Sequence, residues 1–316
     1  MANGQFKEKM LMNSNPSYHT PVLLQESVEA LRIKANGIYV DVTLGGGGHA
    51  RAILKHLGED GRLYALDQDP DAFINSRIED SRFQPLPFNF QHLKKVLRTQ
   101  GVRKIDGLLA DLGLSSHQLD TPGRGFSFRF DTPLDMRMSQ NGELNARKIL
   151  NTYTQDQLQD IFSQYGEIRN AKTLSQGIVA ARKRKKIYLV SDLLQVIDPV
   201  IRGRRNKYLS QVFQALRIEV NGEINALKSM LLQAVEILKE NARLVIITYH
   251  SLEERLVKNL VRNGCFEKEP KRDIYGNFHK PLEAVVKKFI APSEVAVKQN
   301  PRSRSARMRV AKKILI

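Results

Sequence analysis

The sequence predicts an α/β fold in which a parallel sheet is interrupted by a large, all-helical insertion. Three observations carry this. Short β-rich runs alternate with stretches of helical spacing between residues 24 and 111. The alternation stops at about residue 117 and resumes only after 212. Four consecutive glycines, Gly45 to Gly48, directly follow the first β-rich run, where a parallel βαβ unit places its ligand-facing turn.

Each element has its own signal. Residues 1–17 read as a loose polar tail, and His19-Thr20-Pro21-Val22-Leu23-Leu24 opens ordered structure. Leu24, Val28 and Leu31 recur at helical spacing until Gly37. Ile38 to Val42 is a β-rich run bounded by glycines and reads as a buried strand. A helix over 50–57 follows, broken by Gly58 and Gly61. Arg62 to Asp67 is a second strand ending in an acid, and Pro70 starts a helix through about Arg77. Phe83 to Phe90 holds a third, proline-interrupted strand, and His92 to Thr99 a helix. Ile105 to Asp111 is a fourth strand, again ending in an acid.

The character then changes. Thr154 followed by Gln157 has the form of a capping box, and Leu158, Ile161 and Phe162 continue at helical spacing. Strand-and-helix alternation returns with a long helix over Glu223 to Lys239, a buried strand over Arg243 to Tyr249, and a helix over Ser251 to Val261. Two late runs, Ala284 to Ile290 and Ala306 to Val310, suit antiparallel pairing. The expected organisation is a discontinuous sheet domain, 1–116 and 213–316, around a helical insertion, 117–212.

The chain has 316 residues, 41% of them hydrophobic, enough for a packed core. Its formal net charge of +17 favours a polyanionic partner through counterion release at phosphates. The single cysteine, Cys265, excludes an intramolecular disulfide and a zinc cluster, so no metal is expected and a reducing cytoplasm fits. Neither a signal peptide nor a run near the roughly 20 apolar residues of a membrane span is expected.

The segment Asp41-Val42-Thr43-Leu44-Gly45-Gly46-Gly47-Gly48-His49-Ala50 is the most informative. Glycine lets a ligand approach the backbone closely, and the following helix start supplies free N–H groups. Gly45, Gly47 and Ala50 match the dinucleotide fingerprint, with Asp67 lying 22 residues past Gly45 as the ribose acceptor. Nicotinamide enzymes and class I methyltransferases share that pattern. Asp41, at the end of the first strand, suits the cationic methionine end of S-adenosylmethionine better than a pyrophosphate. The charge balance and the insertion point the same way, and the two classes stay open on these residues alone.

Further blocks resemble one family. They are His19 to Leu24, the turn Asp41 to His49, Asp67-Gln68-Asp69-Pro70, the block Asp111 to Asp120, Gly125 to Phe128, Pro133 to Met138, Tyr249 to Arg255, and Asn300 to Arg307. Together they resemble the RsmH (MraW) family. The resemblance implies a class I, Rossmann-like S-adenosylmethionine methyltransferase sheet with an inserted helical domain. It implies methylation of the exocyclic N4 of a decoding-centre cytidine in 16S ribosomal RNA, with the small ribosomal subunit the expected partner and free RNA left open as the substrate. By position it carries cofactor contacts onto Gly47, Gly48, His49, Asp67, Phe90, Asp111 and Gln118. Oligomeric state is left open, a homodimer included.

Methyl transfer from a sulfonium needs alignment more than a nucleophile or metal. Asp111 and the backbone after it are expected to shape the junction of cofactor and base. His250 and Glu253 are expected to contact the target base, the alternative being a helix cap made by Ser251 with Glu254 three residues on. Arg182 and Arg184, Arg204 and Arg205, and Arg302 and Arg304 are the RNA-contact candidates, arginine being suited to bidentate phosphate contact. The aromatic loop Gly123 to Phe130 either stacks on bases or packs the insertion's core.

Overall fold

A computed structural model of the protein describes residues 21–140, 142–270 and 272–315. The tail 1–17 and the residues His19 and Thr20 lie outside them. Helix α1 (Leu24–Leu31) leads into strand β1 (Ile38–Asp41), α2 (Gly48–Leu54), β2 (Arg62–Leu66), α3 (Pro70–Ser76), β3 (Phe83–Leu86), α4 (Leu93–Thr99) and β4 (Ile105–Asp111). Six helices follow: α5 (Ser116–Asp120), α6 (Ala146–Thr152), α7 (Gln155–Gln164), α8 (Ala171–Arg184), α9 (Val190–Ile197) and α10 (Arg205–Asn221). The chain then returns through α11 (Glu223–Ile237), β5 (Leu238–Thr248), α12 (Ser251–Asn263), β6 (Leu282–Ala284), α13 (Glu294–Gln299) and β7 (Arg307–Lys313).

Seven strands form one sheet in the order β3-β2-β1-β4-β5-β7-β6. β1 to β5 are parallel, and β7 runs antiparallel against β5 and β6. The fold class is the α/β architecture that the alternation predicts. Because β1 sits between β2 and β4, the crossovers leave in opposite directions from the sheet's middle, and a crevice opens there beyond the strands' C-terminal ends.

Several boundaries differ from the expected ones for local reasons. Helix α2 starts at Gly48 rather than at 50, because Gly47 takes φ 75° and turns the chain directly into the helix. The third strand stops at Leu86, and Phe90 begins a short 3-10 turn capped by Asn89. The long helix ends at Ile237, so Lys239 falls in β5, whose pairing with β4 slips between Ile105 and Gly107. The late pairing forms between Leu282–Ala284 and β7, while Ile290 makes only an isolated bridge to Met308.

Apolar side chains collect in three clusters. Two flank the sheet, one on each face. The third lies wholly between Phe126 and Leu216 and is shared by α6 to α10. Thr154 and Gln157 form the expected capping box at α7, whose Leu158, Ile161 and Phe162 enter this third cluster. The aromatic loop joins it too: Phe126 is buried, and Phe128 meets Phe213 edge-on at 5.6 Å. Helix α10 continues past residue 212, and Gly222 (φ 59°) ends it. Among the described residues no helix is long and apolar enough to cross a membrane.

Phe162 is fully buried, so Phe162→Ala removes a ring the helical cluster cannot refill. Urea denaturation followed by far-ultraviolet circular dichroism should show a loss of about 3–5 kcal/mol.

Candidate active site

The crevice at the sheet's middle is a cleft of ≈ 550 Å³. Its floor comes from three strand ends, each delivering an acid. Asp41 is the last residue of β1, Asp67 follows β2 directly, and Asp111 ends β4. Parallel pairing brings them together, because Asp41 lies beside Leu109 of β4 and Val42 N–H donates to the Leu109 carbonyl at 3.0 Å.

Thr43 organises the first pair. Its N–H donates to Asp41 Oδ1 at 3.0 Å, and its hydroxyl accepts from Asp111 N–H at 2.7 Å. Asp41 is 1% exposed, and its Oδ2 has no hydrogen-bond partner among the described residues. Burial, with Asp67 nearby, pushes Asp41 up to about 7. Asp67 accepts from Gly45 N–H at 3.0 Å through Oδ2 and from Asp69 N–H at 2.9 Å through Oδ1. Burial pushes it up to about 6.

Asp111 is held by an unexpected partner. Tyr249, just after β5, donates its hydroxyl to Asp111 Oδ1 at 2.8 Å. Desolvation in the cleft wall, with Asp41 and Glu253 close by, pushes Asp111 up to about 7 against that hydrogen bond. His49, on α2, is 5% exposed, and its Nδ1 lies 3.8 Å from Asp111 Oδ2. Burial pushes His49 down to about 4, so it is neutral at pH 7. Gly48 and Phe90 also line the cleft. Gly47 supplies the left-handed bend behind them, where a Cβ would stand 2.9 Å from Ser76 Cβ.

Gln118 also lines the cleft, but its amide is already engaged. Its Oε1 accepts from Ser115 N–H at 3.1 Å, and its Nε2 donates to Asp69 Oδ2 at 2.7 Å. Arg124, from the aromatic loop, completes this corner by donating to Asp69 Oδ2 at 3.0 Å and Asp71 Oδ2 at 2.9 Å. Sequence reasoning missed Asp69, Arg124 and Tyr249. Asp69 and Tyr249 lie inside blocks that were read, but nothing in the order of residues shows which strand end faces which.

His250 and Glu253 form the opposite wall. The cap of α12 lies one residue earlier than the expected Ser251 and Glu254. His250 is the N-cap, Tyr249 N–H donates to Glu253 Oε2 at 3.0 Å, and Glu253 Oε1 sits 3.1 Å from His250 Nε2. Glu254 instead takes the Arg309 guanidinium of β7 at 2.6 Å. Thus His250 and Glu253 both cap the helix and line the cleft.

The basic candidates separate into engaged and open groups. Arg182 is half-buried and donates to the Leu150 carbonyl at 2.8 Å. Arg205 pairs with Asp198 at 2.9 Å. Arg302, at the cleft rim, grips Asp120 through both terminal nitrogens at 2.8 and 2.6 Å and holds that carboxyl well below the usual range. Arg184, Arg204 and Arg304 are exposed, and none pairs with a carboxylate among the described residues.

The three raised carboxyls make the ligand-free protein pH-sensitive in a definite direction. Each binds its proton more tightly when folded than when unfolded, so their contribution to stability falls as pH rises from about 4 to about 7 and stays low above. Asp41→Asn removes one such group. Relative to the parent, its melting temperature should gain most at pH 8, and the gain should shrink steadily toward pH 4. A gain independent of pH in thermal scans would refute the burial argument.

Comparison with known proteins now adds the lineage. The MraW methylase family matches residues 16–314. A ribosomal RNA small subunit methyltransferase H from Cytophaga hutchinsonii is 53% identical over 94% of this chain and 99% of its own length. The protein of the same name from Christiangramia forsetii is 51% identical over 94% of this chain and 98% of its own. That from Flavobacterium johnsoniae is 49% identical over 96% and 100%. With a family match along almost its whole length and relatives at half identity, the chain belongs to the MraW methylase family.

Proposed function

We propose that the protein methylates the exocyclic N4 of a decoding-centre cytidine in 16S ribosomal RNA, using S-adenosylmethionine. The observation that carries the reading is the convergence of Asp41, Asp67 and Asp111 at the Gly-rich turn. The relatives' name and the family's description as a methylase support the methyl donor over a nicotinamide.

The residues present fit the cofactor. Its methionine end carries an ammonium and a sulfonium, and Asp41 offers a buried carboxyl oxygen without a partner among the described residues. Asp67 is oriented by two backbone N–H groups and serves ribose hydroxyls, while Phe90 and the Gly48 backbone flank the space between. Gln118 acts one step back, by fixing Asp69 at the entrance. When bound, the cofactor supplies an electrophilic methyl group on sulfur.

The protein's own residues then have two tasks. One is alignment, which can contribute about 7–11 kcal/mol in favourable cases. The other concerns N4, whose lone pair is delocalised into the ring and whose proton must leave after transfer. Asp111 is placed for both. Tyr249 fixes one carboxylate oxygen at 2.8 Å, leaving Oδ2 to accept from the amino group and then take its proton. A cation beside Asp111 favours its ionised form, so it enters the reaction charged although burial raises it in the empty cleft.

The helices between β4 and α11 form the proposed recognition unit, corresponding to the insertion expected over 117–212. Arg184 and Arg204 are exposed candidates on it for phosphate contact, and Arg304 is an exposed candidate on the segment after α13. Arg182, Arg205 and Arg302 are assigned to holding the structure, since each already has a partner.

The reading is tested by methyl transfer from labelled cofactor to small ribosomal subunits lacking the modification, followed by nucleoside mass spectrometry. N4-methylcytidine is expected; label on protein, on another nucleoside or nowhere would sink the proposal. Asp111→Asn should lower kcat by about 10²-fold or more. In the parent, activity should rise with pH as Asp111 ionises, and this acidic limb should disappear in the variant. An Asp111→Ala protein with full activity and cofactor affinity would remove Asp111 from the mechanism.

A further inference from the structure

The cleft wall facing the Gly-rich turn holds an ion pair that the methyl-transfer reading does not use. Gly222, at φ 59°, ends α10 and starts α11, reversing the chain within one residue. The reversal folds Glu223 back onto Arg217. Arg217 Nε donates to Glu223 Oε1 at 2.8 Å and Nη2 donates to Oε2 at 2.9 Å, with the side chains only 12% and 13% exposed. Both residues line the cleft, beside His250 and Glu253.

A fork-to-fork pair of this kind occupies two of the five guanidinium donors. The remaining ones lie on Nη1 and on the far side of Nη2. Nη1 makes no hydrogen bond among the described residues. The end-on edge, two parallel N–H groups, is therefore available to the cleft. Glu223 fixes the plane of that edge and Gly222 fixes Glu223, so little ordering remains to be done when a ligand arrives.

Two parallel donors select two adjacent acceptors. In cytosine these are N3 and O2, and the amino group lies on the other side of N3. A guanidinium on N3 and O2 thus leaves N4 free to turn toward Asp111. In uracil, N3 carries a proton and opposes the fork. Adenine presents an amino donor beside each ring acceptor on its pairing and major-groove edges. From this geometry we infer that Arg217, oriented by Glu223, is the specificity-determining residue that reads the N3/O2 edge of the target cytosine. The inference rests on the proposed cytidine N4 reaction and assigns its base-reading group.

The same cluster has another chemical reading. Ligand atoms of Glu223, His250 and Glu253 lie within 4.8 Å of one another, a spacing compatible with a divalent cation. Arg217 argues against it, because the guanidinium already neutralises Glu223 and would stand beside any ion placed there.

The test uses the full chain saturated with S-adenosylhomocysteine and measures its affinity for cytidine and uridine 5′-monophosphates by nuclear magnetic resonance titration. The parent should bind the cytidine nucleotide about tenfold or more tightly than the uridine nucleotide. Arg217→Gln should lose that preference, with uridine affinity and cofactor affinity unchanged. Arg217→Lys should not restore it, because a single ammonium lacks the paired donors. Glu223→Gln, which keeps the shape and removes the charge that holds the fork, should reduce the preference several-fold, and it serves if Arg217→Gln fails to fold. Equal binding of both nucleotides by the parent, full discrimination in Arg217→Gln, or stoichiometric Mn²⁺ binding abolished by Glu223→Gln would overturn the inference. The titration needs no turnover, so discrimination that persists while no labelled methyl reaches RNA would mark failure of the reaction and not of the base reader.

Discussion

Thr43 ties the two central strands together where they leave the sheet, and the rest of the site depends on that tie. Its N–H holds Asp41 and its hydroxyl holds the backbone of Asp111, so two carboxyls that would repel each other in water stand at fixed positions in one cleft. The parallel register makes this possible: β1 and β4 are neighbours, and the last residue of β1, Asp41, lies beside Leu109, two residues before the end of β4. Such an arrangement is costly when empty, since burial raises the proton affinity of both carboxyls and neighbouring acids, Asp67 for Asp41 and Asp41 for Asp111, add to it. A cation removes that cost. The cleft is thus built for a positive ligand before any particular ligand is considered.

The helical insertion meets the sheet domain through ionic forks rather than through a shared apolar core. Its cluster between Phe126 and Leu216 is separate from the two that flank the sheet. Arg124 reaches from the aromatic loop to Asp69 and Asp71, and Arg255 of α12 pairs with Glu167 across the other side. The Arg124–Asp69 pair is buried, a kind that contributes weakly to net stability but is strict about geometry, whereas Arg255–Glu167 is exposed and adds little. Here they set the distance between the walls of the cleft, which is the quantity a methyl transfer is sensitive to.

How far the sequence revealed this depends on the range of the interaction. Strand β4 was legible because Leu108 to Ala110 is a short apolar run with both faces covered, bounded by Gly107 and Asp111. The capping box of α7 was legible because its partners are three residues apart. The cap of α12 was placed one residue late, since Ser251-x-x-Glu254 and His250-x-x-Glu253 are both present and only the packing of Arg309 on Glu254 decides between them. The Tyr249–Asp111 bond spans 138 residues, and the Arg217–Glu223 fork depends on a left-handed glycine between two helices. Neither has a local signature. Gln118 shows the converse: it lines the cleft, but the neighbour that takes its amide, Asp69, becomes visible only when the loops fold together.

Charge sign is divided between surface and interior in a way that reconciles an acidic cleft with a chain of net charge +17. Exposed cations such as Arg304 dominate what an approaching polyanion feels within the roughly 8 Å screening length of physiological salt. The cleft acids are recessed, and burial keeps part of their charge protonated while the cleft is empty. They ionise fully only beside a cation. Electrostatics favours one order: the cationic ligand entering first draws the acids toward their ionised forms where it offsets part of their charge, and the proposed RNA then meets a less negative site that includes Arg217, the proposed base reader. An RNA arriving first would meet partly protonated acids and an Asp111 with less capacity to accept a proton.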